Sequence, residues 1–132
     1  MLARVLVPAV LVLGLTLPAA ADTIGVLREN TLRLTQANGK ITTILVKKGQ
    51  DLEQVNGSGV WAAGFWQLDP ERGFCWTARG EASVCINLPM DAGVGATWDV
   101  KEPAGKVVSK AEIVAGRADL STLSGGAPHG EH

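Results

Sequence analysis

The chain has 132 residues, a length that fits one domain with a modest hydrophobic core. Its 12 basic and 13 acidic side chains nearly balance and form no basic cluster, which argues against nucleic acid as a partner.

The first residues, 1–21, have the three regions of a secretory signal peptide. Arg4 lies in a short basic region, residues 5–17 form an apolar run, and small residues occupy 19–21. The run is shorter than the roughly 20 apolar residues of a membrane span. We therefore expect cleavage before Asp22, no stable membrane anchor afterwards, and a periplasmic or secreted location.

The predicted export affects the expected state of the two cysteines. In an oxidising compartment two cysteines are expected to pair, so we predict a Cys75–Cys85 disulfide. Their separation of ten residues suggests a local staple of one hairpin.

The first part of the mature chain contains a strong hairpin signal. Residues 22–30 remain open as a first strand or a free arm. Thr31 to Gln36 alternates polar and apolar residues, Asn38-Gly39 is a typical tight turn, and Ile41 to Lys47 is rich in β-branched residues. These features predict two antiparallel strands.

The middle of the chain continues the β pattern. Leu52 to Val55 predicts a weaker strand, and Val60 to Leu68 predicts a strong apolar one. A turn at 69–73 follows, with Pro70 setting its backbone.

The next hairpin pairs Phe74 to Ala78 with Ala82 to Asn87. If Cys75 lies opposite Cys85, one strand face is entirely apolar. The facing pairs on it are Phe74 with Ile86, Trp76 with Val84, and Ala78 with Ala82. This register predicts Trp76 in the core and the disulfide on the outer or rim face.

A final hairpin is predicted from Gly95 to Val100 and from Val107 to Val114. The remainder, 118–132, is polar and Gly-rich, which indicates a disordered tail after a single β domain at 22–117. Seven or eight short strands predict an all-β fold, a small antiparallel meander, sandwich or barrel with one hairpin disulfide.

Residues that could form a catalytic or metal-binding site are scarce. A Ser or Cys nucleophile needs a nearby base, and the only histidines, His129 and His132, lie in the predicted tail. A flexible tail does not hold metal ligands in fixed geometry. We therefore expect no catalytic, metal or cofactor site, and a protein that is not an enzyme.

The aromatic residues suggest a surface instead. Alternation within the fourth predicted strand places Trp61 and Phe65 on the face opposite Trp66, where they form a candidate interaction surface. A bulge, the tail or a second sheet covering them is the alternative that we favour, since small β domains often bury both faces of a central strand.

The stretch from Gly64 and Trp66 through Cys75-Trp76 to Cys85 resembles small exported β proteins of proteobacteria that carry a Gly-x-Trp strand before a two-cysteine hairpin. The resemblance implies an envelope location and the disulfide, but no activity.

The same strand and cysteines, with Leu68, also resemble periplasmic inhibitors of secreted metalloproteases. In those small barrels an N-terminal arm enters the protease cleft, and Asp22 to Asn30 would correspond to it. Two hypotheses follow. The first is a non-enzymatic binding or structural module for an envelope protein or cell-wall component. The alternative is an inhibitor of a secreted protease or lysozyme.

Overall fold

The computed structural model describes residues 19–102 and 104–124. The signal-peptide prediction up to residue 18 and the tail from residue 125 lie outside the described residues. The strands are β1 Thr31–Gln36, β2 Ile41–Val46, β3 Asp51–Val55, β4 Trp61–Asp69, β5 Gly73–Ala78, β6 Val84–Ile86, β7 Thr97–Lys101 and β8 Val107–Val114. The helices are α1 Ala19–Glu29 and α2 Leu120–Leu123.

The eight strands form one antiparallel sheet in the order β6-β5-β4-β3-β2-β1-β8-β7, which curls into a nearly closed barrel. The all-β prediction is confirmed, and of its three architectures the barrel is the one observed. Two predicted strands, β1 and β8, match the structure from end to end.

The β5–β6 hairpin has the predicted register. Phe74 pairs with Ile86, Cys75 with Cys85, and Trp76 with Val84, and the two cysteines form a disulfide. Trp76 is buried as predicted. The ladder between these described strands ends at Val84, so the expected pairing of Ala78 with Ala82 is wrong.

Aromatic side chains fill much of the barrel. The ring centroids of Trp66 and Phe74 are 5.7 Å apart, and those of Phe74 and Trp76 are 5.4 Å apart, both pairs tilted. Leu32 and Ile113, from the opposite part of the wall, belong to the same buried cluster. Strand alternation explains this core, because every second side chain points inward.

Gly64 allows β4 and β5 to approach closely. A Cβ atom at this position would lie 2.2 Å from the carbonyl oxygen of Thr77 and 2.8 Å from the Cα of Ala78. Backbone atoms cannot move aside as a flexible side chain can, so the glycine of the Gly-x-Trp motif has a structural reason here.

Residues 22–30 are neither a strand nor a free arm, which corrects both predicted alternatives. Residues 22–29 belong to α1, where Ile24 and Leu27 are 4% and 1% exposed and join the core, and Asn30 follows the end of the helix. Arg117 Nη1 donates to the carbonyl oxygens of Leu27 and Arg28, and thereby holds the C-terminal end of the helix. A helix this short has too few apolar residues for its periodicity to stand out in the sequence.

The disordered tail was predicted to begin at residue 118, which is too early. Leu120–Leu123 form the short helix α2, and Leu120 is buried. Asp119 caps this helix, with its Oδ1 accepting from the backbone N–H of Ser121 at 3.0 Å. None of the helices in the described ranges is long and apolar enough to cross a membrane.

Candidate functional site

The two ends of the barrel differ. Helix α1 and the connection between β6 and β7 cover one end, where Thr23 Oγ1 donates to the carbonyl oxygen of Pro89 at 3.0 Å and accepts from Ala92 N–H at 3.3 Å. The turns of the four hairpins β1–β2, β3–β4, β5–β6 and β7–β8 lie at the other end. We call this second end the mouth.

A cavity of about 900 Å³ lies at the mouth. Part of its wall is apolar, formed by Leu34, Trp76, Val84, Ile86 and Val100. Eight-stranded barrels have an interior that side chains either fill or share with one small ligand. Ligand sites are commonly concave and mainly apolar, with volumes of about 300–1,000 Å³. The mouth cavity is concave and has a volume within that range.

A chain of hydrogen bonds runs from the cavity wall to the rim. Trp76 Nε1 donates to Gln54 Oε1 at 3.0 Å, and Gln54 Nε2 donates to Glu81 Oε1 at 2.9 Å. Asn56 Nδ2 donates to the other oxygen of Glu81 at 3.1 Å. Gln54 is only 2% exposed, so its amide is held in one orientation by partners on both sides.

The rim of the mouth carries charges of both signs. Lys40 and Lys101 line the cavity together with Glu81 and Glu102. This balance gives no reason to expect a strongly charged ligand. An apolar wall beneath a polar rim suits an amphipathic ligand.

The barrel wall is incomplete between β6 and β7, and we call this gap the seam. β6 and β7 are the first and last strands of the sheet. At the covered end they are joined by a side chain, with Trp98 Nε1 donating to the carbonyl oxygen of Asn87 at 2.8 Å. Val84 and Ile86 share one face of β6, yet Val84 is 41% exposed and Ile86 only 3%. The exposed position is the one nearer the mouth.

Trp61 and Phe65 lie elsewhere, on the outer face of β4. Phe65 is 57% exposed, so the prediction that this pair is covered is wrong for Phe65. Trp61 is half-buried and donates its Nε1–H to Glu53 Oε1 at 3.2 Å. The structure therefore separates these two residues from the mouth cavity by the thickness of the barrel wall.

Glu53 connects Trp61 to a basic residue on the outer face. Burial raises the pKa of this carboxyl group, but hydrogen bonds from Lys47 and Trp61, together with the positive charges of Lys47 and Arg117, lower it by more. The net pKa lies below its ordinary value of 4.5. The outer face therefore holds Trp61 through a carboxylate that stays ionised at neutral pH.

Gln54 and Glu81 were not singled out from the sequence. One signal was present, because alternation within β3 puts Gln54 on the same face as Leu52 and so directs an amide inward. Glu81 lies in a turn, and nothing local indicates which strand it contacts. Among the described residues no three His, Cys, Asp or Glu side chains are grouped as metal ligands, while His129 and His132 lie outside that part of the chain.

No protein-family model, curated protein or solved structure matches this chain. The two resemblances noted from the sequence therefore stay predictions, and the geometry of the barrel is what bears on function.

Proposed function

We propose that this protein is a non-enzymatic binding module of the periplasm or extracellular space, and that the mouth cavity is its binding site. The observation that carries the proposal is a cavity of about 900 Å³ at the open end of the barrel, with a partly apolar wall and a buried hydrogen bond between Trp76 and Gln54. The signal-peptide pattern and the Cys75–Cys85 disulfide support the location, since disulfides persist in oxidising compartments.

The arrangement favours binding for two physical reasons. Apolar ligand surface placed against Val84 and Val100 leaves water, which contributes about 25 cal/mol for each Å² buried. The wall is also preorganised, because the sheet and the disulfide hold it before a ligand arrives. The ordering cost of binding is then low, and the Gln54–Glu81 pair offers polar groups that orient the ligand.

The inhibitor hypothesis loses its structural basis. It depended on Asp22 to Asn30 as an arm that enters a protease cleft. In the structure Ile24 and Leu27 of this segment are buried in the core, so withdrawing them would expose apolar side chains. No other observation favours inhibition of a protease or lysozyme.

The test uses the exported, oxidised protein and the dye anilinonaphthalene sulfonate, which fluoresces on entering apolar sites. Val84→Glu places a charge in the mouth at a position 41% exposed, and Phe65→Glu is the matched control at an outer position 57% exposed. We expect saturable binding that weakens about tenfold or more in Val84→Glu, a loss of at least 1.4 kcal/mol, and stays unchanged in Phe65→Glu.

Melting temperatures of both variants check that each remains folded. Binding lost in Phe65→Glu but kept in Val84→Glu would move the site to the outer face of β4. Absence of saturable binding would overturn the mouth cavity as a site.

A further inference from the structure

Within residues 19–102 and 104–124, β6 and β7 each have one backbone edge that no strand pairs with. No described strand lies beyond either of them, and the link across the seam is the Trp98 side chain at the covered end. An edge strand presents a row of N–H and C=O groups that can pair with another chain. Near the mouth, the N–H and C=O groups of β6 lie on one side of the seam and those of β7 lie on the other.

The mouth cavity lies directly behind this gap. Cys85 and Ile86 of β6, and Val100 and Lys101 of β7, all line it. Side chains alternate between the two faces of a strand. A chain lying along the seam would therefore send every second side chain into the cavity and the others into solvent.

We propose that the seam binds an extended segment of a partner polypeptide, added as a further strand beside β6 or β7. This inference depends on the proposed function and names its ligand class. Backbone hydrogen bonds to the edge would supply the pairing, and apolar side chains at alternate positions would enter beside Val84 and Val100. β6 and β7 run in opposite directions, so either orientation of the segment is antiparallel to one of them.

The length of the edges limits the segment. Val84–Ile86 is three residues long, which corresponds to about 10 Å of strand. Trp98 and Asn87 close the gap beyond that length. The core of the recognised segment is therefore short, and β-branched residues such as valine or isoleucine fit its inward positions best.

A second copy of this chain fits the edge less well. Pairing Thr97–Lys101 with itself about a two-fold axis in full overlap places Asp99 opposite its symmetry mate. Like charges directly opposite each other destabilise a strand pair. A different polypeptide avoids this repulsion.

The probe is a random-peptide display library panned on the exported, oxidised protein, followed by amide hydrogen exchange with a selected synthetic peptide. We expect the selected sequences to alternate apolar and polar residues, and exchange at Val84–Ile86 and Val100–Lys101 to slow by about tenfold or more. Binding should be lost in Val84→Glu and kept in Phe65→Glu.

The outcomes separate this inference from the function on which it depends. If the dye binds at the mouth but no peptide is selected, or the peptide protects amides outside β6 and β7, the strand inference is overturned and the cavity remains a binding site. If neither dye nor peptide binds, both proposals fall. If the β7 amides already exchange slowly in the protein without peptide, and the protein forms a dimer, the β7 edge pairs with a second copy. That result would also overturn the inference.

Discussion

The indole Nε1 of Trp76 donates to the side-chain Oε1 of Gln54 at 3.0 Å, although the two residues lie on strands β5 and β3 with β4 between them. The contact passes over the inner face of β4 where that strand carries Ala62 and Gly64. Small side chains there leave room for an aromatic ring and an amide to meet. One buried polar contact thus connects two strands that are not neighbours in the sheet.

Replacing Gln54 by leucine should lower the free energy of unfolding by about 1–3 kcal/mol, because a buried indole N–H loses its acceptor. Urea unfolding measures the change. Trp76→Phe and the double variant complete a mutant cycle, which isolates the pairwise energy. A loss in Gln54→Leu with no coupling to Trp76 would show that the leucine fits poorly and that the hydrogen bond contributes little.

Replacing both Cys75 and Cys85 by serine should lower the free energy of unfolding by about 2–3 kcal/mol while leaving the β content intact, since the staple limits the unfolded chain over a short loop. Far-ultraviolet circular dichroism and urea unfolding measure both quantities. Reduced wild-type protein is the control and should behave like the variant. Unchanged stability would contradict a stabilising role of the disulfide.

The indole N–H of Trp61 should report the protonation of Glu53. The pKa of Glu53 is lowered in the folded protein, so its contribution to stability is present above the ordinary value of 4.5 and disappears as pH falls through the lower folded pKa. The Trp61 Nε1–H chemical shift should titrate in that acidic window. Trp98, which donates to a carbonyl oxygen, is the matched control. If the Trp61 Nε1–H chemical shift still titrates in Glu53→Gln, a group other than Glu53 causes the titration.

Gly64→Ala should destabilise the protein by about 1–3 kcal/mol, because its methyl group overlaps backbone atoms of β5. Gly25→Ala is the contrasting variant. Beyond its own helix backbone and chain neighbours, no atom lies within 4 Å of its added Cβ, and alanine favours the helix by up to about 1 kcal/mol. Thermal unfolding should therefore move in opposite directions for the two. A neutral Gly64→Ala would mean that β4 and β5 separate easily.

Much of the fold could be predicted from local patterns. Alternation located the β1–β2 hairpin, and the apolar face shared by Phe74, Trp76 and Ile86 gave the register around the disulfide. Helix α1 was missed because its stability comes from burial of Ile24 and Leu27 against the barrel end and from the Arg117 contacts. Those partners lie far along the chain, and no local pattern reveals them.

For the candidate site, too, some features follow from local sequence patterns and others depend on contacts between distant parts of the chain. The sequence by itself determined the β character of the chain, the alternation of its strands and the pairing of its cysteines, because these depend on neighbours within a strand or one hairpin. Only the tertiary structure decided that Gln54 meets Trp76 and Glu81, that the turns of four hairpins surround one cavity, and that β6 and β7 leave a seam. Closure of a barrel depends on how the twist and stagger of all its strands add up, and that sum is a property of the whole sheet.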